Sequence, residues 1–255
     1  MASPQIILYT NPNCPWAQRA HIALKELGLP YEEVFIDVEK PREDWHLAIN
    51  PKGQVPTLSY DGTIITESGI VAQFLADAHP VTETGTGTVS KAGLLLPLNS
   101  LDGAIQRARI AYFVDACVSK VYPVLVGIIM NGESHNTSTE RLVDVIEKDI
   151  EPLLALTSDE GRERFFGGSE SLTLAEVLVG PFLLWIFTLV KTEYGVLSGD
   201  LVSALQIRAP RFESWGARVV AHESVRHVLD EEWVGKSLKG RWEGAVAKRK
   251  SKVEE

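Results

Sequence analysis

Cysteine is scarce in this 255-residue chain: there are two, Cys14 and Cys117. That excludes a disulfide scaffold and any zinc site built from several thiolates. A basic excess is missing as well. Lys and Arg number 25 against 34 Asp and Glu, for a net charge of −9, so no general nucleic-acid binding is expected. The six histidines show no metal-ligand spacing; His222 and His227 lie five apart and do not share a helical face. No basic segment precedes the short apolar stretch at the N-terminus, so no secretory signal is expected and the reducing cytoplasm is the expected compartment. Long unbroken apolar runs are lacking too. Leu172 to Val190 approaches the ~20 residues of a membrane span, but Glu176, Gly180 and Pro181 interrupt it. A buried core helix is expected there, not a membrane span. No repeat of solenoid period is visible.

What is present is a balanced globular composition, 45% hydrophobic and 23% charged, in a length that suits one or two domains. Residues 5–79 alternate strand and helix signals. Gln5 to Thr10 is a short β-branched apolar run stopped by Asn11-Pro12-Asn13. From Pro15, the positions Ala20, Ala23, Leu24 and Leu27 follow helical spacing up to Gly28. Tyr31 to Asp37 reads as a second strand, followed by a short helical turn around Trp45. Residues 57–60 and 63–66 are strands joined by Asp61-Gly62, a strong hairpin signal. Ile70, Val71, Phe74, Leu75 and Ala78 mark one face of a helix ending before Pro80. The predicted order is βαβ then ββα. Everything after Leu101 has helical period: about 101–130 with a break at Pro123, a segment from after Thr139 to about Leu156, 173–192, and more between about 200 and 233. Thr173-Leu-Ala-Glu176 has capping-box spacing. The predicted organisation is α/β followed by all-α: residues 1–80, a linker at 81–100, a helical domain at 101–235, and a charged, mobile tail at 236–255.

Cys14-Pro15-Trp16-Ala17 stands at the end of the first strand and the start of the first helix. Pro15 falls at the first helical position, where its missing N–H costs nothing. Cys14 therefore faces unpaired amide groups and the positive end of the helix dipole, an environment that lowers a thiol pKa. Arg19, one turn on, adds positive charge. The alternative for a free thiol is a buried, inert cysteine, which is the expectation for Cys117. Position 17 is Ala, where a dithiol motif would have its second cysteine. A mixed disulfide at Cys14 would need a separate thiol to release it, hence a soluble thiol co-substrate.

Cys14-Pro-Trp-Ala17, Asn50-Pro-x-Gly-x-Val-Pro56, Glu67-Ser68 and Thr173-x-x-Glu176, in that order, resemble the cytosolic glutathione transferases. The cysteine-type classes are the most similar, omega first, with lambda and the glutathionyl-hydroquinone reductases as neighbours. One departure is Glu176, where the family usually has Asp. The resemblance implies a thioredoxin-like N-terminal domain and glutathione as co-substrate, with no metal. Cys14 would be the nucleophile, flanked by Pro15 and Trp16. Pro56 would follow a cis bond, and the Val55 backbone would pair with the cysteinyl part of glutathione. Ser68 would meet the γ-glutamyl carboxylate and Glu67 its ammonium. Lys40 and Arg42 compete for the glycine carboxylate, with Lys40 favoured, and Lys52 is expected to be a solvated loop charge. Tyr112 and Trp185 could line an apolar co-substrate pocket.

The activity so implied is thiol transfer or reduction through a Cys14–glutathione mixed disulfide. Deglutathionylation and dehydroascorbate- or quinone-type reduction are its forms, in a homodimer that detoxifies. The rival is a non-catalytic scaffold of the same fold that binds ligands or regulates.

Overall fold

The structure, a computed structural model, describes residues 3–80, 93–155 and 165–251. It begins with strand β1 (Ile6–Thr10), helix α1 (Pro15–Leu27), strand β2 (Glu32–Phe35) and helix α2 (Asp44–Ile49). Strands β3 (Thr57–Tyr60) and β4 (Thr63–Thr66) and helix α3 (Ser68–Ala78) complete a βαβ–ββα unit, as predicted. The sheet order is β2-β1-β3-β4. β1 pairs parallel with β2, which the α1 crossover permits, and antiparallel with β3. The β3–β4 hairpin turns at Asp61 and Gly62, both at positive φ (48° and 80°), the conformation that tight primed turns demand. Gly28 ends α1 in the left-handed conformation, and the Leu29 amide donates to the Leu24 carbonyl at 2.9 Å.

The rest is helical. Helix α4 (Leu101–Ala116), a π-helical turn (Cys117–Val121) and helix α5 (Tyr122–Asn131) form one continuous run. Pro123, lacking an N–H, cannot close an ordinary turn, and the π-helical turn precedes it, where the sequence suggested a break. By length and composition alone this run could cross a bilayer; here Ile110, Phe113, Leu125 and Ile128 belong to the core. Helix α6 (His135–Val145) starts earlier than expected, with Ser134 as N-cap, and continues through a π-helical turn (Ile146–Ile150) into α7 (Glu151–Ala155).

Helix α8 (Leu174–Leu189) is the apolar segment singled out in the sequence, and nearly all of it is buried. Its capping box forms: Thr173 Oγ1 accepts from the Ala175 amide, and Glu176 Oε2 accepts from the Thr173 amide at 2.8 Å. Helices α9 (Leu201–Arg208), α10 (Pro210–Ala221), α11 (Glu223–Arg226) and α12 (Glu231–Ser251) close the chain.

Two expectations change. Of the linker at 81–100, residues 81–92 lie outside the described residues, while Leu94 and Leu95 are core and the Leu94 carbonyl accepts from the Leu174 amide at 3.0 Å. The tail expected from 236 is instead helix through Ser251, with residues 252–255 outside the described residues. Leu238 is buried and Trp242 Nε1 donates to the Glu133 carbonyl at 3.2 Å, apolar anchoring that the lysine-rich composition hides.

Candidate glutathione and thiol site

Between the C-terminal edge of β1, the α2–β3 loop and the start of α3 lies a cavity of about 790 Å3. Cys14, Trp16, Lys40, Arg42, Lys52, Val55, Pro56, Glu67 and Ser68 all line it. Of the residues expected at a glutathione site, Pro15 alone does not line it; it is buried at the first turn of α1.

Cys14 is the N-cap of α1, its own side chain making no cap bond. The thiol is half-buried, and backbone hydrogen bonds from Trp16 and Ala17 favour its thiolate. Burial is the larger effect and pushes the thiol above its ordinary value, opposite to the lowering expected from the helix mouth. Cys117 is fully buried in the π-helical turn, and burial pushes it far higher, in line with the inert role expected of it.

The loop before β3 is built by its own polar groups. Asn50 Nδ2 donates to the Gln54 carbonyl (3.1 Å) and to Thr57 Oγ1 (2.9 Å). Gly53 sits at φ +60°, and a Cβ there would come within 2.8 Å of Arg42 Cγ, so glycine is required. The Val55–Pro56 bond is cis, as the family resemblance implied. Opposite, Glu67 holds φ +69° without being glycine, a conformation that costs about 1 kcal/mol or more and marks functional sites.

Lys40 and Arg42 differ in their surroundings. Arg42 is consumed by the loop, donating to the carbonyls of Gly53, Asp37, Lys40 and Val38. Lys40 pairs with Asp37 at 3.0 Å and keeps an exposed ammonium at the cavity rim. Lys52 is not merely a solvated charge: its Nζ meets Glu67 Oε1 at 2.8 Å across the cavity.

Behind the cavity-lining Trp16 stand two aromatics with no signal in the sequence. Trp16 packs edge-on against Tyr122 (centroids 5.2 Å apart) and Phe182 (5.0 Å). Tyr122 and Phe182 come from α5 and α8, so no local signal joins them to Cys14. By contrast, Tyr112 is 64% exposed on α4, and neither it nor Trp185 lines this cavity. Arg19, noted only as a nearby charge, is 4% exposed, and its guanidinium lies 4.5 Å from the Trp16 ring. Among the described residues there is no group of three or more His, Cys, Asp or Glu suited to a metal.

Chemically, the cavity offers a thiol at a helix N-terminus, a cis-proline edge at the start of β3, and a helix start suited to a carboxylate. A peptide-like thiol matches these three features.

Comparison with known proteins agrees. Residues 13–78 match the family model of the glutathione S-transferase N-terminal domain. The chain is 30% identical over 181 residues to glutathione S-transferase omega-1 of Rattus norvegicus, spanning 70% of this chain and 66% of that one. It is 28% identical over 227 residues to the probable glutathione S-transferase GSTU1 of Oryza sativa subsp. indica, 86% of this chain and 87% of that one. The crystal structure of rice GST1 (OsGSTU1) in complex with glutathione superposes with a TM-score of 0.74 at 26% identity, covering 96% of this chain and 99% of that one. From its thioredoxin-like sheet through its capped core helix, the chain belongs to the glutathione transferase family.

Proposed function

We propose that the protein is a glutathione-dependent thiol transferase or reductase of omega-like, cysteine type, with Cys14 as nucleophile. The observation that carries this reading is one cavity lined together by the lone thiol, the cis Val55–Pro56 edge and Ser68. The Cys14 thiolate attacks the glutathione sulfur of a mixed disulfide. A Cys14–S–S–glutathione bond forms, the substrate's S–S bond breaks, and the substrate leaves as a thiolate that takes up a proton. A second glutathione thiolate attacks that intermediate, releasing oxidised glutathione and regenerating the Cys14 thiolate. The high-lying thiol is compatible with this, because nucleophilicity per thiolate rises with pKa. Dehydroascorbate- or quinone-type acceptors would be reduced at the same sulfur.

Backbone groups of Val55 would hold the cysteinyl part, Ser68 the γ-glutamyl carboxylate, Glu67 the ammonium and Lys40 the glycine carboxylate. Pro15 and Trp16 fix the helix mouth. Trp16, backed by Tyr122 and Phe182, offers the cavity an apolar surface, which suits a hydrophobic co-substrate. Two free thiols suit a reducing compartment such as the cytoplasm.

Mass spectrometry after treatment with oxidised glutathione tests the reading. Wild type should gain one glutathionyl group and Cys14→Ala none; an unmodified wild type overturns it. The upward push on Cys14 favours one second reading, a scaffold that binds glutathione without turnover. No turnover of hydroxyethyl disulfide by either wild type or Cys14→Ser would support the scaffold.

A further inference from the structure

Arg19 is the most deeply buried cation at the cavity, and its hydrogen bonds are divided between the two halves of the chain. Nε donates to the carbonyl of Leu178 in α8 at 2.8 Å, and Nη1 donates to Ser68 Oγ at the start of α3 at 3.2 Å. The guanidinium is further held against the rings of Trp16 (4.5 Å) and Phe182 (5.1 Å). Its Nη2 is buried with no hydrogen-bond partner. A buried cation with an orphaned donor is costly.

The consequence falls on Ser68. A guanidinium only donates, whereas a hydroxyl has one proton and two lone pairs. With Nη1 donating to it, Ser68 Oγ is fixed as an acceptor toward Arg19, and its single proton is left for a different partner. Ser68 itself lines the cavity. The partner that fits is an acceptor within the cavity, and a carboxylate fits best because the bond is then charge-assisted.

We infer that Arg19 is a positioning residue: it polarises and orients the Ser68 hydroxyl so that it donates to the γ-glutamyl carboxylate of bound glutathione, and through Leu178 it ties that end of the site to the helical half. This rests on the glutathione reading above.

A double-mutant cycle with glutathione as titrant tests it by calorimetry on wild type, Arg19→Lys, Ser68→Ala and the double variant. Arg19→Lys should weaken glutathione binding about tenfold, the loss of one charge-assisted bond. In the Ser68→Ala background the same change should have little further effect. Losses that add, or an unchanged affinity in Arg19→Lys, overturn the inference while leaving glutathione binding intact. No binding by wild type would instead overturn the glutathione reading, and this inference with it.

A crystal structure of the wild-type complex with glutathione is independent of whether Arg19→Lys folds. The γ-glutamyl carboxylate within hydrogen-bond distance of Ser68 Oγ, with Arg19 still on that oxygen, is expected. A carboxylate bound away from Ser68, or Arg19 turned to another acceptor, overturns the inference.

Discussion

At the scale of single residues the chemistry turns on one thiol under opposing influences. Backbone amides at the mouth of α1 favour the Cys14 thiolate, and burial beside Trp16 opposes them and prevails. A raised pKa means less thiolate at a given pH, so alkylation of the folded protein should rise through a midpoint above the ~8.5 of an ordinary thiol. Iodoacetamide labelling followed by mass spectrometry across pH 6–10 checks this. A midpoint below that of the unfolded chain would reverse the balance of causes. Cys117 should label only when the protein unfolds, because it has no exposed sulfur to offer. The position of Cys14 was legible from Cys-Pro at a strand end. The balance of its pKa was not, because desolvation depends on side chains that arrive from α5 and α8.

At the scale of elements, α8 shows how one carboxylate organises a buried helix. Glu176 Oε2 accepts from the Thr173 amide and hydroxyl, while Oε1 accepts from the Phe166 amide at 2.6 Å and from Trp215 Nε1 at 2.7 Å. The sequence predicted the first half of this set, since a capping box is local. The second half joins α8 to α10 and to the Phe166 turn, a reach that the longer Glu side chain supplies. Glu176→Asp should keep the cap but lose reach to Phe166 and Trp215, costing about 1–3 kcal/mol for an unsatisfied buried donor. Glu176→Ala should cost more, roughly 3–5 kcal/mol, by orphaning donors on three residues at once. Urea midpoints of the two variants measure the order; equal losses would show that the reach to Phe166 and Trp215, not the cap, carries the stability. The reach of α12 is a second case. Its lysines and arginines read as a tail, yet Val234, Gly235 and Leu238 are buried against the helical half, and a Cβ on Gly132 would come within 2.3 Å of the Val246 amide nitrogen.

At the scale of the whole molecule, the two halves share polar and ionic ties. Helix α1 packs against both α3 and α8, Arg19 reaches Leu178, and Lys25 meets Glu223 at 3.0 Å. The last pair is exposed and worth little by itself; the buried ties matter more. Unfolding should therefore be one cooperative transition in calorimetry, with calorimetric and van't Hoff enthalpies equal. Two resolved peaks would show halves that melt separately. On the proposed function, glutathione should shift that single transition upward, as any ligand of the folded state does; an unmoved transition at saturating glutathione counts against that reading.

The sequence by itself determined the order βαβ–ββα then helices, the hairpin at Asp61-Gly62, the cap at Thr173 and the candidate thiol. Each is written in neighbours a few residues apart, through periodicity, turn chemistry or helix-end hydrogen bonding. Only the tertiary structure decided that Arg42 is spent on the loop while Lys40 stays at the rim, that Lys52 meets Glu67, that Tyr122 and Phe182 pack on Trp16, and that Tyr112 and Trp185 do not line this cavity. The physical reason is that these outcomes depend on which side chains folding brings together across the cavity. Burial, charge pairing and ring packing act through space, and no spacing along the chain encodes them.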